Sequence, residues 1–166
     1  MAPICQRGGL DAGTTTTTAS TTTQTTAERP ECPYGWETYT GDGSSVKCFK
    51  YCGDREYAAY CGILYATYAE QNCQDQGGHL ASIHSMEEQN FLMHTFNPSA
   101  RVWIGAVDTD HNGVWEWTDG SSFDFSYWRS GQPDGQYYTV MDDISSGGWR
   151  DLDYNERYQY FCQLTL

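Results

Sequence analysis

Trp128-Arg129-Ser130-Gly131-Gln132-Pro133-Asp134 sets two side-chain oxygens, those of Gln132 and Asp134, on either side of a proline. Proline fixes its own φ, and an X–Pro bond can be held cis in a tight turn. A turn of that kind aims both oxygens at one point, which is how a hard cation or a sugar diol is held. Downstream, Trp149-Arg150-Asp151 echoes the Trp-Arg pair and adds a second carboxylate. Gly, Gln, Pro and Asp are also ordinary surface-turn residues, so the surrounding chain decides between the two readings.

Working outward, Cys32-Pro33-Tyr34-Gly35-Trp36 opens the folded region. Trp36 and Tyr39, then Val46, Cys48, Phe49 and Tyr51, predict two short strands joined by a Gly-Asp-Gly-Ser-Ser turn. Cys52 and Cys61 bracket a short loop. Leu64, Tyr68 and Cys73 recur at near-helical spacing and predict a helix over 64–76, stopped by Gly77-Gly78. Ser85 with Glu88 forms a capping box, and Phe91, Leu92 and Phe96 supply the apolar face of a second helix. Beyond Pro98 the pattern turns to strands: the buried run Val102–Ala106, and Val114–Trp117 after the Asn112-Gly113 turn. Val140-Met141, Trp149 and Tyr158–Cys162 follow. The order predicts an α+β fold with one long irregular region between about 118 and 148, and such regions are commonly functional.

The 166 residues allow one domain and a tail. Nine Lys and Arg against twenty-two Asp and Glu give a formal charge of −13. That balance excludes a nucleic-acid partner, which needs a basic patch, and opposes binding to anionic membranes. No apolar run is long enough for membrane insertion. Seven cysteines point to an oxidising, extracellular compartment. Met1–Cys5 lacks the apolar core of a signal peptide, so a mature or truncated form of a secreted protein is expected.

Residues 1–31 read as a disordered Thr-rich stalk, ten of the thirteen positions from Thr14 to Thr26 being threonine. Such tracts have no core to bury and are typical O-glycosylated spacers, which makes the protein a glycoprotein candidate. Cys5 precedes the stalk and leaves an odd count, so it is a candidate for an intermolecular disulfide.

Together, Cys32-Pro-Tyr-Gly-Trp36, Cys73 followed by Gly77-Gly-His-Leu-Ala-Ser-Ile83, Trp103-Ile-Gly105 and Trp115-Glu-Trp-Thr-Asp-Gly120 resemble the C-type lectin-like domain. Gln132-Pro133-Asp134, Trp149-Arg-Asp151 and the closing Tyr160-Phe-Cys162 extend the resemblance over residues 32–166. It implies a disulfide-stapled fold with two helices, short antiparallel sheets and a long irregular loop that carries the ligand. It also implies pairing of Cys73 with Cys162 and of Cys32 with Cys48, with Cys52–Cys61 as an additional local bridge. The family's usual inner disulfide would fall at Tyr138 and Tyr154, and aromatic packing is expected to replace it.

In sugar-binding members of that family one calcium ion joins the protein to two sugar hydroxyls, and Gln-Pro-Asp goes with galactose-type sugars. Carried onto this chain, Gln132, Asp134 and Asp151 match the metal ligands. The acidic position falls at Gln136, and the asparagine position is Arg150, which has no acceptor to offer. Asp108, with Asp110 and Asn112, matches a second calcium site, or else forms a solvated acidic turn. Tyr137 or Trp128 would stack on the sugar ring. The implied function is a galactose-type carbohydrate-binding lectin with calcium, its partners glycans or glycoproteins. The alternative is a calcium-independent domain that recognises a protein or another non-sugar ligand, which Arg150 and Gln136 favour. No enzyme is expected: His79, His84, His94 and His111 have no metal-ligand spacing and no serine sits in a hydrolase elbow.

Overall fold

The computed structural model describes residues 29–41, 45–53, 61–142 and 147–166. Cys5 and the Thr-rich tract lie outside these residues. Strands β1 (Glu37–Tyr39) and β2 (Lys47–Cys52) are followed by helix α1 (Ala66–Asp75), strand β3 (His79–Leu80) and helix α2 (Met86–Phe96). Then come β4 (Val102–Val107), β5 (Glu116–Trp117), β6 (Tyr138–Met141), β7 (Trp149–Leu152) and β8 (Gln159–Thr165). The sheet runs β1-β2-β8-β4-β6-β7, with β3 added to β8 and β5 to β4. Among the named strands β4 and β8 pair in parallel and the other pairings are antiparallel. This is the expected α+β fold.

Helix α1 starts two residues later than its spacing predicts, because Leu64 is drawn into a bridge with Tyr158 through two N–H···O bonds of 3.0 Å. The buried face is Ala66, Ala69 and Cys73, while Tyr68, read as part of that face, is 63% exposed. Gly77 takes φ +89° and donates to Gln74 O, and Gly78 donates to Cys73 O, which caps the helix C-terminus. Gly78 has a second duty: a Cβ there would lie 1.9 Å from the Gln163 carbonyl oxygen, so only glycine admits β8 this close. At α2, Ser85 Oγ accepts from Glu88 N at 3.1 Å as the capping box predicts. The return arm differs, since Glu88 accepts from His84 N (2.7 Å) and from the largely buried Lys47 (2.6 Å).

Two packed clusters fill the interior. One joins Phe49, Ile83, Leu92, Val102, Ile104, Trp117, Trp149 and Phe161; the other gathers Leu80, Trp103, Val140 and Tyr160 around Cys73 and Cys162. All three expected disulfides form: Cys32–Cys48, Cys52–Cys61 and Cys73–Cys162. The last closes a separation of 89 residues. A loop of that length contributes roughly 4–5 kcal/mol by restricting the unfolded chain.

Candidate functional site

The loop after β5 returns along the free edge of β7. Trp149 N donates to Tyr127 O (2.7 Å), Arg129 N to Trp149 O (3.0 Å), and Gln132 N to Arg129 O (3.0 Å). From the other side, fully buried Gln89 on α2 accepts from Trp149 Nε1 (2.9 Å) and donates to Gly147 O (3.1 Å). Asp142, almost wholly buried, receives both Arg101 and Arg129. Neither residue stands out by sequence alone. The signal for Gln89 was its place three residues before Leu92 on the buried helix face.

On this frame the Gln132–Pro133 bond is cis. The fully buried Asp151 carboxylate lies beneath the loop and accepts three successive backbone N–H groups: Asp134 (2.9 and 3.0 Å to its two oxygens), Gly135 (2.8 Å) and Gln136 (2.6 Å). Gln132 completes the clamp, with Oε1 accepting from Asp151 N (3.0 Å) and Nε2 donating to Asp134 Oδ2 (3.0 Å). The structure thus brings Gln132, Asp134, Gln136 and Asp151 together around one turn. Asp134 is exposed on its outer surface and Gln136 half-exposed.

Arg150 follows the alternation of its strand. It pairs across from Val140, whereas Asp151 pairs across from Thr139, so the two side chains leave β7 on opposite faces. Among the described residues no ion pair joins Arg150 to Asp134 or Asp151, and its buried Nε has no hydrogen-bond partner.

This donor set does not fit calcium. Both Asp151 oxygens and the Gln132 oxygen are occupied by N–H donors, and Arg150 supplies no acceptor. What remains is the second Asp134 oxygen, the Gln136 amide and the orphaned hydroxyl of buried Thr139, against the about six to eight oxygens calcium takes. Asp108 is also occupied: it accepts from Asn112 N (3.1 Å) and Gly113 N (3.0 Å) and so closes the β4–β5 loop. Asp110 accepts from Asn112 Nδ2 (2.8 Å). Among the described residues no group of three or more His, Cys, Asp and Glu is placed to hold a metal ion.

The aromatic expectations need correcting. Trp128 is not a free platform, because its ring packs on Trp115 (4.7 Å) and Trp149 (5.7 Å) against the core. Tyr154 meets Tyr137 (6.0 Å) rather than Tyr138, which turns to Trp103 (6.3 Å). An aromatic contact does span the place of the missing disulfide, but through Tyr137. That ring also carries His111, with centroids 3.7 Å apart. Spacing in the sequence gives this histidine no role; the contact arises only where the β4–β5 loop meets Tyr137.

A serine–histidine–acid set occurs elsewhere. His84 Nδ1 lies 2.7 Å from Asp124, and Nε2 lies 3.1 and 3.2 Å from the hydroxyls of Ser82 and Ser121. Both hydroxyls donate to Asp119 (2.6 and 2.5 Å), so neither is oriented as a nucleophile toward the imidazole. Burial pushes the Asp119 carboxyl up, but the hydrogen bonds from Ser121 and Ser82, with His84 nearby, outweigh it and hold the group below its ordinary value. The set pins the segment before α2 to the turn after β5.

Residues 64–164 match the Lectin C-type domain family. The chain is 39% identical over 107 residues to the galactose-specific lectin nattectin of Thalassophryne nattereri, covering 62% of this chain and 59% of nattectin, so the match spans less than two thirds of that relative. It is 35% identical over 140 residues to the type-2 ice-structuring protein of Hemitripterus americanus, covering 82% of this chain and 77% of that protein. A crystal structure of a calcium-independent type II antifreeze protein superimposes with a TM-score of 0.69 at 29% identity, over 82% of this chain and 96% of that one. With most of the head matched and its disulfides and loop frame in place, the chain belongs to the C-type lectin domain family.

Proposed function

We propose that the head is a carbohydrate-binding domain with a galactose-type preference, recognising its sugar at the Gln132-Pro133-Asp134 turn. The observation that carries this reading is the clamp of Asp151 on the backbone of Asp134, Gly135 and Gln136. It holds the turn in one shape and leaves the exposed Asp134 carboxylate with an oxygen free to accept from a sugar diol. Gln136, half-exposed beside it, adds a donor and an acceptor. The likeness to a galactose-specific lectin supports the sugar class. Sugar is held by these side chains directly, with no ion between. Such contacts desolvate few groups, so each head binds weakly and clustering on stalks supplies avidity on multivalent glycans or glycoproteins. The three disulfides support secretion into an oxidising compartment.

Calorimetric titration of the full chain with methyl β-galactoside, in calcium and in chelator, tests the reading. Binding of equal strength in both buffers is expected. No galactoside binding in either buffer would overturn it. A second reading, a calcium-independent domain for a protein or other non-sugar ligand, draws support from the misfit of the donor set to calcium and from the likeness to ice-structuring and antifreeze proteins. It predicts no saccharide binding across a glycan array.

A further inference from the structure

We infer that the β4–β5 loop belongs to the recognition surface, and that His111 is the ring on which a neutral saccharide stacks. The inference rests on the proposed sugar-binding reading and names the residue and ligand charge that go with it. Tyr137 lies three residues after Asp134 and would be the natural platform. Its ring, however, is covered on one face by the His111 imidazole, at 3.7 Å between centroids and 32° between planes. Tyr154 crosses it at 6.0 Å and 59°. Both flanking rings reach solvent, Tyr154 at 54% exposure, and of the two it is the exposed His111 that lies more nearly parallel on the Tyr137 face.

His111 is also held there deliberately. Its φ is +55°, a left-handed conformation that a side-chain-bearing residue rarely takes and that Asn or Gly would adopt more readily. The loop enforces it: His111 N donates to Asp108 O (3.3 Å), and the buried Asp108 carboxylate takes the next two N–H groups. Asp108 N in turn donates to Tyr137 O (3.0 Å), which fixes the β4–β5 loop against the sugar turn. Backbone strain maintained by its surroundings is a common mark of binding loops. The exposed acids flanking the stack, Asp110 and Asp134, repel anionic sugars and select neutral ones.

The test uses the full chain with His111→Asn, which suits the left-handed backbone but removes the ring, and His111→Phe, which keeps an aromatic ring. Titration with methyl β-galactoside should show binding weakened about three- to tenfold in H111N and restored to within about twofold in H111F, the scale of one aromatic contact. In the wild type, a nuclear Overhauser contact between the imidazole Hε1 and the sugar ring protons is expected; a merely structural histidine would give none. A sialylated galactoside should bind more weakly than the neutral one. Unchanged affinity in H111N, or no imidazole–sugar contact, overturns the role of His111 while galactoside binding stands. Tighter binding of the sialylated probe overturns the selection of neutral ligands. No galactoside binding by the wild type overturns both this inference and the reading beneath it.

Discussion

Replacing Asp151 with Asn asks whether the carboxylate serves the loop or a metal. The substitution preserves volume but removes the charge and turns one acceptor oxygen into a donor. Asp151 Oδ2 now takes N–H groups from Asp134, Gly135 and Gln136, and Oδ1 shares the first. An asparagine oxygen can keep about two of these, at the strength of neutral bonds, while its NH₂ group faces the remaining donor. Bonds to a charged acceptor are worth about 1.5–3 kcal/mol each and neutral ones about 1, so exchanging three of the first for two of the second is expected to lose about 2.5–7 kcal/mol. For a domain of this size that lowers Tm by roughly 8–28 °C in calorimetry. Amide exchange of Gly135 and Gln136 should accelerate along with it. The same loss is expected in chelator and in millimolar calcium, because the clamp needs no ion. If Asp151 instead held calcium, an ion at a hundredfold its Kd would stabilise the wild type by about 2.7 kcal/mol, and D151N would abolish that gain. A calcium-dependent rise of that size in the wild type, or a D151N loss below about 1 kcal/mol, would refute the reasoning.

Three further outcomes follow from the frame of the loop. Gln89→Leu leaves the Trp149 indole N–H and the Gly147 carbonyl unsatisfied in the interior, and chemical denaturation should show a loss of about 2–4 kcal/mol. Asp142→Asn removes the carboxylate shared by Arg101 and Arg129; both guanidinium groups are partly exposed, so the loss read by denaturation is held to about 1–3 kcal/mol. Asp119 has its folded pKa below the ordinary carboxylate value, so its stabilising contribution is full above that value and lost as pH falls through the lower folded one. Melting curves should therefore show Asp119→Asn flattening the decline of stability below about pH 4.

Much of the head was legible because its signals are local. Ser85 and Glu88 announce a cap, Gly77-Gly78 a stop, and Val102–Ala106 a buried strand, since each depends on neighbours a few residues away. The two-residue strand β3 was not legible, because it exists only where β8 comes alongside His79 and Leu80. Tyr68 fits a helical apolar face by spacing, yet the helix turns Ala66, Ala69 and Cys73 inward because the disulfide to Cys162 fixes its rotation.

The Gln132–Asp134 turn shows the same division more sharply. Gln132, Asp134 and Asp151 come together as their sequence pattern suggests, but the chemistry of the turn depends on what fills the Asp151 carboxylate. The groups that fill it are backbone N–H donors of Asp134, Gly135 and Gln136, which carry no side-chain signature. The sequence leaves two orientations open for Arg150, inward beside the Asp134 and Asp151 carboxylates or outward from them. Strand alternation sends it to the other face, so it leaves the carboxylate alone. The turn is self-sufficient because Asp151 does through three N–H groups what an ion would do through coordination. The same bonds that make the turn rigid occupy Asp151 beneath it, and the groups left facing solvent are Asp134, Gln136 and the exposed His111 ring.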